Sequence, residues 1–280
     1  MKFTIFSAQG SCSEFVQPVV MAILNATPDS FSDGGDLDGD EQLEQKVEQI
    51  LESDTKIIDI GGESTRPGHE KIDAQEESRR VVRVVGAVRK QSSKILISID
   101  TQKAAVAKAA LDARADFIND ISSLSDPAMA QVINDAGCSL VVMRNTPLQT
   151  DLIESCKKQI RVIVSKTESQ GIDQDKLIID PGLGFGNLAE QNYSKLPGGD
   201  LISNLKLIDQ MSEYSMGLPV LIGASRKRFV GELMGQQSVE QRDGGSVALA
   251  VFALQRGASI VRVHNPSATV QAKSSMMFSS

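Results

Sequence analysis

Eight short runs of branched aliphatic residues recur along the chain, each followed by a longer segment of helical period. The runs are Val20–Leu24, Ile57–Ile60, Ile95–Ile99, Phe117–Ile118, Leu140–Met143, Leu177–Ile179, Val220–Ile222 and Ile260–Val263. Runs dominated by Ile, Val and Leu, with polar residues right after nearly every one, read as strands buried on both faces. Between and after them lie Glu41–Glu52, Ala74–Lys90, Lys103–Leu111, Pro127–Ala136, Leu152–Gln170, Leu201–Ser212, Ser246–Gln255 and a shorter segment near Ala268–Lys273. Strict βα alternation requires a parallel sheet with right-handed crossovers. Eight units in 280 residues suit a closed (β/α)₈ barrel, a TIM barrel forming a single domain over residues 1–280. An open doubly wound sheet is the alternative. The count of eight and the absence of a long interruption favour closure. Residues 2–7 are expected to add a short strand or hairpin at the bottom of the barrel, and the eighth helix reads as clipped.

Composition narrows the partners. Aromatic residues make up 4% of the chain and Trp is absent, so the core is aliphatic. A net charge of −7 argues against coating nucleic acid or an anionic membrane, so any bound phosphate must be met by local donors. Cys12, Cys138 and Cys156 lie far apart without ligand spacing, which suggests neither a disulfide framework nor a zinc site. The opening MKFTIFSAQGSCSEF is a poor secretory signal, and no run approaches the roughly 18 apolar residues of a membrane span. The expectation is a cytoplasmic protein.

A closed barrel places its chemistry where strands end and loops begin. The residues at those ends are Asn25, Asp59, Asp100, Asn119, Met143, Asp180, the Ser225-Arg226-Lys227 group, Arg262 and His264. Any one Asp or Asn is readily explained as a helix cap, but so many polar ends converging on one mouth are harder to dismiss. Gly182-Leu183-Gly184-Phe185-Gly186 lacks the dinucleotide spacing, and neither it nor Gly61-Gly62 forms a phosphate-binding P-loop. These glycines read as sharp turns beside a ligand.

Seven blocks make a more specific resemblance. MAILNATPDSFSDGG (21–35), IIDIGGESTRPG (57–68), ISIDTQK (97–103), INDISSL (118–124), IDPGLGFG (179–186), LIGASRKRFVG (221–231) and IVRVHN (260–265) resemble, in order, the signature blocks of dihydropteroate synthases. These enzymes condense 6-hydroxymethyl-7,8-dihydropterin pyrophosphate with p-aminobenzoate in folate biosynthesis, and they are sulfonamide targets. The resemblance implies pterin contacts from Asp100, Asn119, Met143, Asp180 and Lys227. It implies pyrophosphate contacts from Asn25, Thr65, Arg262 and His264, with Asn25 also on a Mg²⁺ cofactor. It implies a p-aminobenzoate site bordered by Arg66, Pro67, Phe185, Ser225 and Lys227. Asn25, Lys227, Arg262 and His264 would carry the catalysis, and the assembly would be a homodimer through helices late in the chain. A carboxylate such as Asp180 suits the pterin edge, because it pairs with an amino group and a ring N–H side by side.

Three positions depart from the pattern: Arg144 where a His is expected after strand five, Asn187 where a Lys follows the GFG turn, and Asn265 where an Asp follows the last His. They keep two other readings open, a silent or weakly active pterin-binding paralogue and a related pterin-dependent methyltransferase. The pyrophosphate residues favour the synthase, since neither alternative needs them.

Overall fold

The structure is a computed structural model that describes residues 2–26, 37–63, 71–149, 151–185, 199–235 and 238–276. The chain opens with an antiparallel hairpin, β1 (Phe3–Phe6) and β2 (Cys12–Phe15), whose Phe3 and Phe15 rings stack 5.2 Å apart. The alternation then runs β3 (Val19–Asn25), α1 (Leu37–Glu52), β4 (Ile57–Gly61), α2 (Ala74–Gln91), β5 (Leu96–Asp100), α3 (Ala104–Asp112), β6 (Phe117–Asp120), α4 (Met129–Ala136), β7 (Leu140–Met143), α5 (Leu152–Ser169) and β8 (Leu177–Asp180). It continues with α6 (Gly199–Asp209), the short α7 (Met211–Tyr214), β9 (Leu221–Ile222), α8 (Arg228–Met234), α9 (Asp243–Gln255), β10 (Ile260–Val263) and α10 (Pro266–Met276).

Strands β3 to β10 form one parallel sheet in the order β8-β7-β6-β5-β4-β3-β10-β9. A parallel bridge from Ile179 to Val220, with Ile179 N–H donating to Pro219 O at 2.9 Å, joins the two outer strands. Closure removes both sheet edges, and the open-sheet alternative is thereby set aside. All eight sequence runs lie on these strands to within a residue or two. The reason is burial, since nearly every strand residue is covered on both faces.

The surrounding helices bury one stripe each. In α5 it is Leu152, Cys156, Ile160, Val164 and Thr167, close to every fourth residue. Asp73 caps α2 by accepting from Glu76 N–H at 2.8 Å, and Arg89 and Lys90 lie in its last turn, opposite in sign to the helix dipole there. Gly62 lets α2 approach, because a Cβ there would come within 2.8 Å of Glu77 Cγ and Val81 Cγ2.

Two helices differ from expectation. The last one is longer than Ala268–Lys273, because Asn265 caps it: Asn265 Oδ1 accepts from Ala268 N–H at 3.1 Å, and Pro266 starts the helix without needing a donor. Helix α8 follows the Ser225-Arg226-Lys227 group, where sequence suggested only a strand end. It is a two-turn helix stopped at Gly235, whose φ is +63°. The expected hairpin is present at the lower, N-terminal end of the barrel. Ser139 N–H donates to Phe6 O at 2.9 Å, and Ala8 N–H donates to Asp116 O at 2.8 Å.

Candidate active site

Register brings the polar strand ends together. Asn25 pairs with Gly61, Gly61 with Asp100, and Asp100 with Asn119, which makes one row across β3, β4, β5 and β6 at the upper, C-terminal end. On the next pair of strands Met143 lies level with Asp180. Burial explains the row: a strand covered on both faces places polar side chains chiefly where the barrel opens or where another polar group meets them.

Arg262 reaches across this end from β10. Its Nε donates to Asp59 Oδ2 at 2.6 Å and its Nη2 to Asp100 Oδ2 at 2.7 Å. Asp59 Oδ2 also accepts from Asn119 Nδ2 at 3.1 Å. Sequence noted Asp59 as a strand end without giving it a role. Here it holds both a basic and an amide side chain, and the signal for it was a lone carboxylate inside the apolar run Ile57–Ile60. Burial would lower the Arg262 pKa, but Asp59 and Asp100 outweigh it and hold the guanidinium above its ordinary value. Burial, which Arg262 opposes and Asp59 reinforces, pushes Asp100 up to about 7. The buried Oδ1 atoms of Asp59 and Asn119 have no partner among the described residues.

Asp180 ends β8 and accepts the Gly182 N–H on Oδ1 at 2.7 Å. Burial raises its pKa, against the pull of Lys227, the Gly182 N–H, Arg262 and Arg144. Gly223, just after β9, lies beside it, with the position of a Cβ there 3.9 Å from Asp180 Oδ2, an ordinary contact distance. Lys227 donates to Leu183 O and sits over the Phe185 ring, 4.3 Å from its centroid. Ser225 Oγ accepts from His264 N–H at 3.2 Å and lies 3.0 Å from His264 Nδ1. Between Ser225 and Lys227, Arg226 adopts φ +59° and forks onto Asp243 at 2.6 and 2.9 Å. The ion pair to α9 holds this left-handed turn.

Thr65, Arg66 and Pro67, with Asn187, lie outside the described residues. The segment ends that flank the first three are joined: Glu63 Oε1 accepts from Ile72 N–H at 3.1 Å. Lys103 Nζ donates to Glu63 at 2.8 Å, Ile72 O at 2.8 Å and buried Glu77 at 2.6 Å. Arg144 is not a mouth residue. It is fully buried and donates to backbone carbonyls of the loops after β7 and β8. Asn265 donates to Asp243 at 3.4 Å besides capping α10.

The described residues contain no group of three His, Cys, Asp or Glu side chains able to hold a metal, and no helix long and apolar enough to cross a membrane. Burial pushes the Cys138 and Cys156 thiols up to about 12, which leaves them poor nucleophiles. What this mouth offers is hydrogen bonding and charge, in a ring of Asp, Asn, Lys, Arg and His.

A family model described as pterin binding enzyme matches residues 21–264. The dihydropteroate synthase of Escherichia coli K12 is 36% identical over 275 residues, covering 95% of this chain and 93% of the relative. The Xanthomonas albilineans dihydropteroate synthase solved with 4-aminobenzoic acid superposes with a TM-score of 0.87 at 35% identity, covering 98% of this chain and 97% of that one. The same enzyme in complex with 7,8-dihydropteroate gives 0.84 at 34% identity, covering 98% of each chain. The barrel, the row of polar strand ends and these likenesses agree: the chain belongs to the pterin-binding enzymes, among the dihydropteroate synthases.

Proposed function

We propose that this chain condenses 6-hydroxymethyl-7,8-dihydropterin pyrophosphate with p-aminobenzoate, giving 7,8-dihydropteroate and pyrophosphate. The observation that carries the reading is the upper end of the barrel itself. There Asp100 pairs with Asn119, Asp180 ends β8 at the same mouth, and the buried Oδ1 of Asn119 lacks a partner among the described residues. A buried acceptor left unmatched costs about 1–3 kcal/mol, and a pterin ring N–H or amino group would meet that need.

The chemistry is a displacement at the pterin methylene. The C–O bond breaks with its electron pair leaving on pyrophosphate, and the dihydropterin ring delocalises the positive charge. The arylamine lone pair then forms the C–N bond, and its proton passes to solvent or pyrophosphate. Asp180, Asp100 and Asn119 hold the pterin, with Met143 and Lys227 beside them. Arg262 and His264, with Thr65, bind the departing pyrophosphate; the Arg262 guanidinium has N–H donors beyond the two used on Asp59 and Asp100. Positioning and charge stabilisation suffice here, and no protein nucleophile is required. Arg66, Pro67, Phe185 and Ser225 border the p-aminobenzoate, whose ring suits the apolar face of Phe185 and whose carboxylate suits a cation.

Mg²⁺ fits the donor set. A hard cation takes oxygen ligands and keeps several waters. Asn25 offers an amide oxygen next to Gly61 and Asp100 in the row, 3.7 Å from where a Gly61 Cβ would stand. Asn25 and diphosphate oxygens would hold the ion, which when bound would neutralise charge on the leaving group. The assembly is read as a homodimer. Its support is two apolar surfaces on helices late in the chain: the partly exposed Val251 and Phe252 of α9, apolar nearly all round, and the exposed Leu233 and Met234 of α8. Three free cysteines suit a cytoplasmic setting.

The test is pyrophosphate release from the dihydropterin substrate by purified protein, with and without p-aminobenzoate and Mg²⁺. Release that needs both, with dihydropteroate as the second product, is the expected result. Pterin binding without turnover would point to the silent paralogue instead.

A further inference from the structure

Arg144 is the largest fully buried side chain among the described residues. It stands where the family resemblance leads one to expect His. Its Nε donates to Pro181 O at 2.7 Å, its Nη2 to Gly182 O at 3.1 Å, and its Nη1 to Thr146 O. Its backbone N–H donates to Asp180 O at 2.9 Å. The fit is tight from the other side too: a Cβ on Gly182 would fall 2.1 Å from Arg144 O, and Gly182 has φ +67°. No other residue type fits there without moving the backbone.

The Pro181 carbonyl and the Gly182 N–H belong to one planar peptide unit. Arg144 grips the carbonyl, and the N–H of the same unit is the donor that holds Asp180 Oδ1 at 2.7 Å. The cation therefore fixes the plane of the peptide that aims the carboxylate, and polarises its N–H. Further along the loop, Leu183 O receives Lys227 Nζ, and Gly184 N–H donates to Asn204 Oδ1 at 2.9 Å. One buried guanidinium thus stands behind the carboxylate and the lysine that the pterin site uses.

We propose that Arg144 is a positioning residue for pterin binding, acting on Asp180 through the Pro181–Gly182 peptide. The inference rests on the function proposed above, which makes Asp180 the pterin carboxylate. The electrostatics agree, since Arg144 is among the cations that draw the Asp180 pKa back down against its burial.

Titration of the holoprotein with pterin-6-carboxylate, and separately with pyrophosphate and Mg²⁺, tests it in two variants. Arg144→Lys keeps the charge but cannot span three carbonyls, and Arg144→Gln keeps a donor without charge. If either unfolds, the other carries the test. Pterin affinity is expected to fall about tenfold, which corresponds to roughly 1.4 kcal/mol, while pyrophosphate affinity stays within about twofold. Asp180→Asn should then weaken pterin binding less in Arg144→Lys than in the wild type, because coupled residues are not additive. Unchanged pterin affinity in a folded variant, or equal loss of both probes, would overturn the inference. A wild-type protein that does not bind the pterin at all would instead sink the proposed function, and this inference with it.

Discussion

Two buried aspartates, one at each end of the barrel, are used in opposite ways. At the lower end Asp116 is fully engaged. Its Oδ1 accepts from Ser7 Oγ at 2.7 Å, and its Oδ2 accepts from Ile97 N–H at 2.6 Å and from Arg89. It ties the hairpin, α2 and the start of β5 together. At the upper end Asp59 is more deeply buried, yet one of its oxygens has no partner among the described residues, and neither has Asn119 Oδ1 beside it. Evolved interiors satisfy their polar atoms. The lower aspartate stabilises a fold, and the upper set is arranged for something that arrives from outside.

The contrast can be broken at either end. Removing the lower carboxylate should cost most: Asp116→Ala leaves Arg89 nearly buried without its partner and is expected to destabilise by about 3–5 kcal/mol, read from urea denaturation. A loss under about 1 kcal/mol would mean that the lower network is ornamental. At the mouth, Lys227→Met should lower kcat/KM for dihydropteroate formation about 10²-fold, roughly 2.7 kcal/mol in transition-state terms, with a smaller change in unfolding free energy. Equal effects on turnover and folding would erase the distinction.

Asp100→Asn sharpens the comparison through pH. The Asp100 pKa is raised in the folded state, from 3.8 to about 7, chiefly by burial. Its contribution to stability is therefore fully present below about pH 4 and is lost as pH rises through about 7. The variant lacks this titration. Its unfolding midpoint, measured against the wild type, should drift in the variant's favour from about pH 4 to pH 7 and level off above; a constant difference would contradict the shift. The smallest effect belongs to Asn265→Ala, which removes the cap of α10 and should cost about 1 kcal/mol of unfolding free energy.

How much of this was legible in the sequence follows from where the information lies. The barrel strands were readable because burial on both faces leaves short runs dominated by Ile, Val and Leu, a local signal. The mouth was readable because Asn25, Asp100, Asn119 and Asp180 each interrupt or end such a run. Helix α8 was not, being two turns long and beginning directly after a charged group. The role of Asp59 was half visible, as a charge inside an apolar run, but its partner Arg262 is 203 residues away. Arg144 stood out in sequence only as a departure from the expected His, and its role did not show: its partners are backbone carbonyls of its own and a neighbouring loop, and backbone atoms leave no trace in sequence. The loop residues Thr65, Arg66 and Pro67 fall outside the described residues, although the Lys103–Glu63 ion pair and the hydrogen bonds of Ile72 to Lys103 and Glu63 flank them.

The most direct test compares the two ends in one assay: kcat/KM for dihydropteroate formation, per folded molecule, in Arg262→Lys and Asp116→Asn. Arg262→Lys keeps a cation but loses the fork onto Asp59 and Asp100, and it should fall by about 10²–10³. Asp116→Asn should turn over like the wild type once corrected for the folded fraction. The reverse pattern, a competent Arg262 variant and an impaired Asp116 variant, would contradict the assignment of chemistry to the upper end.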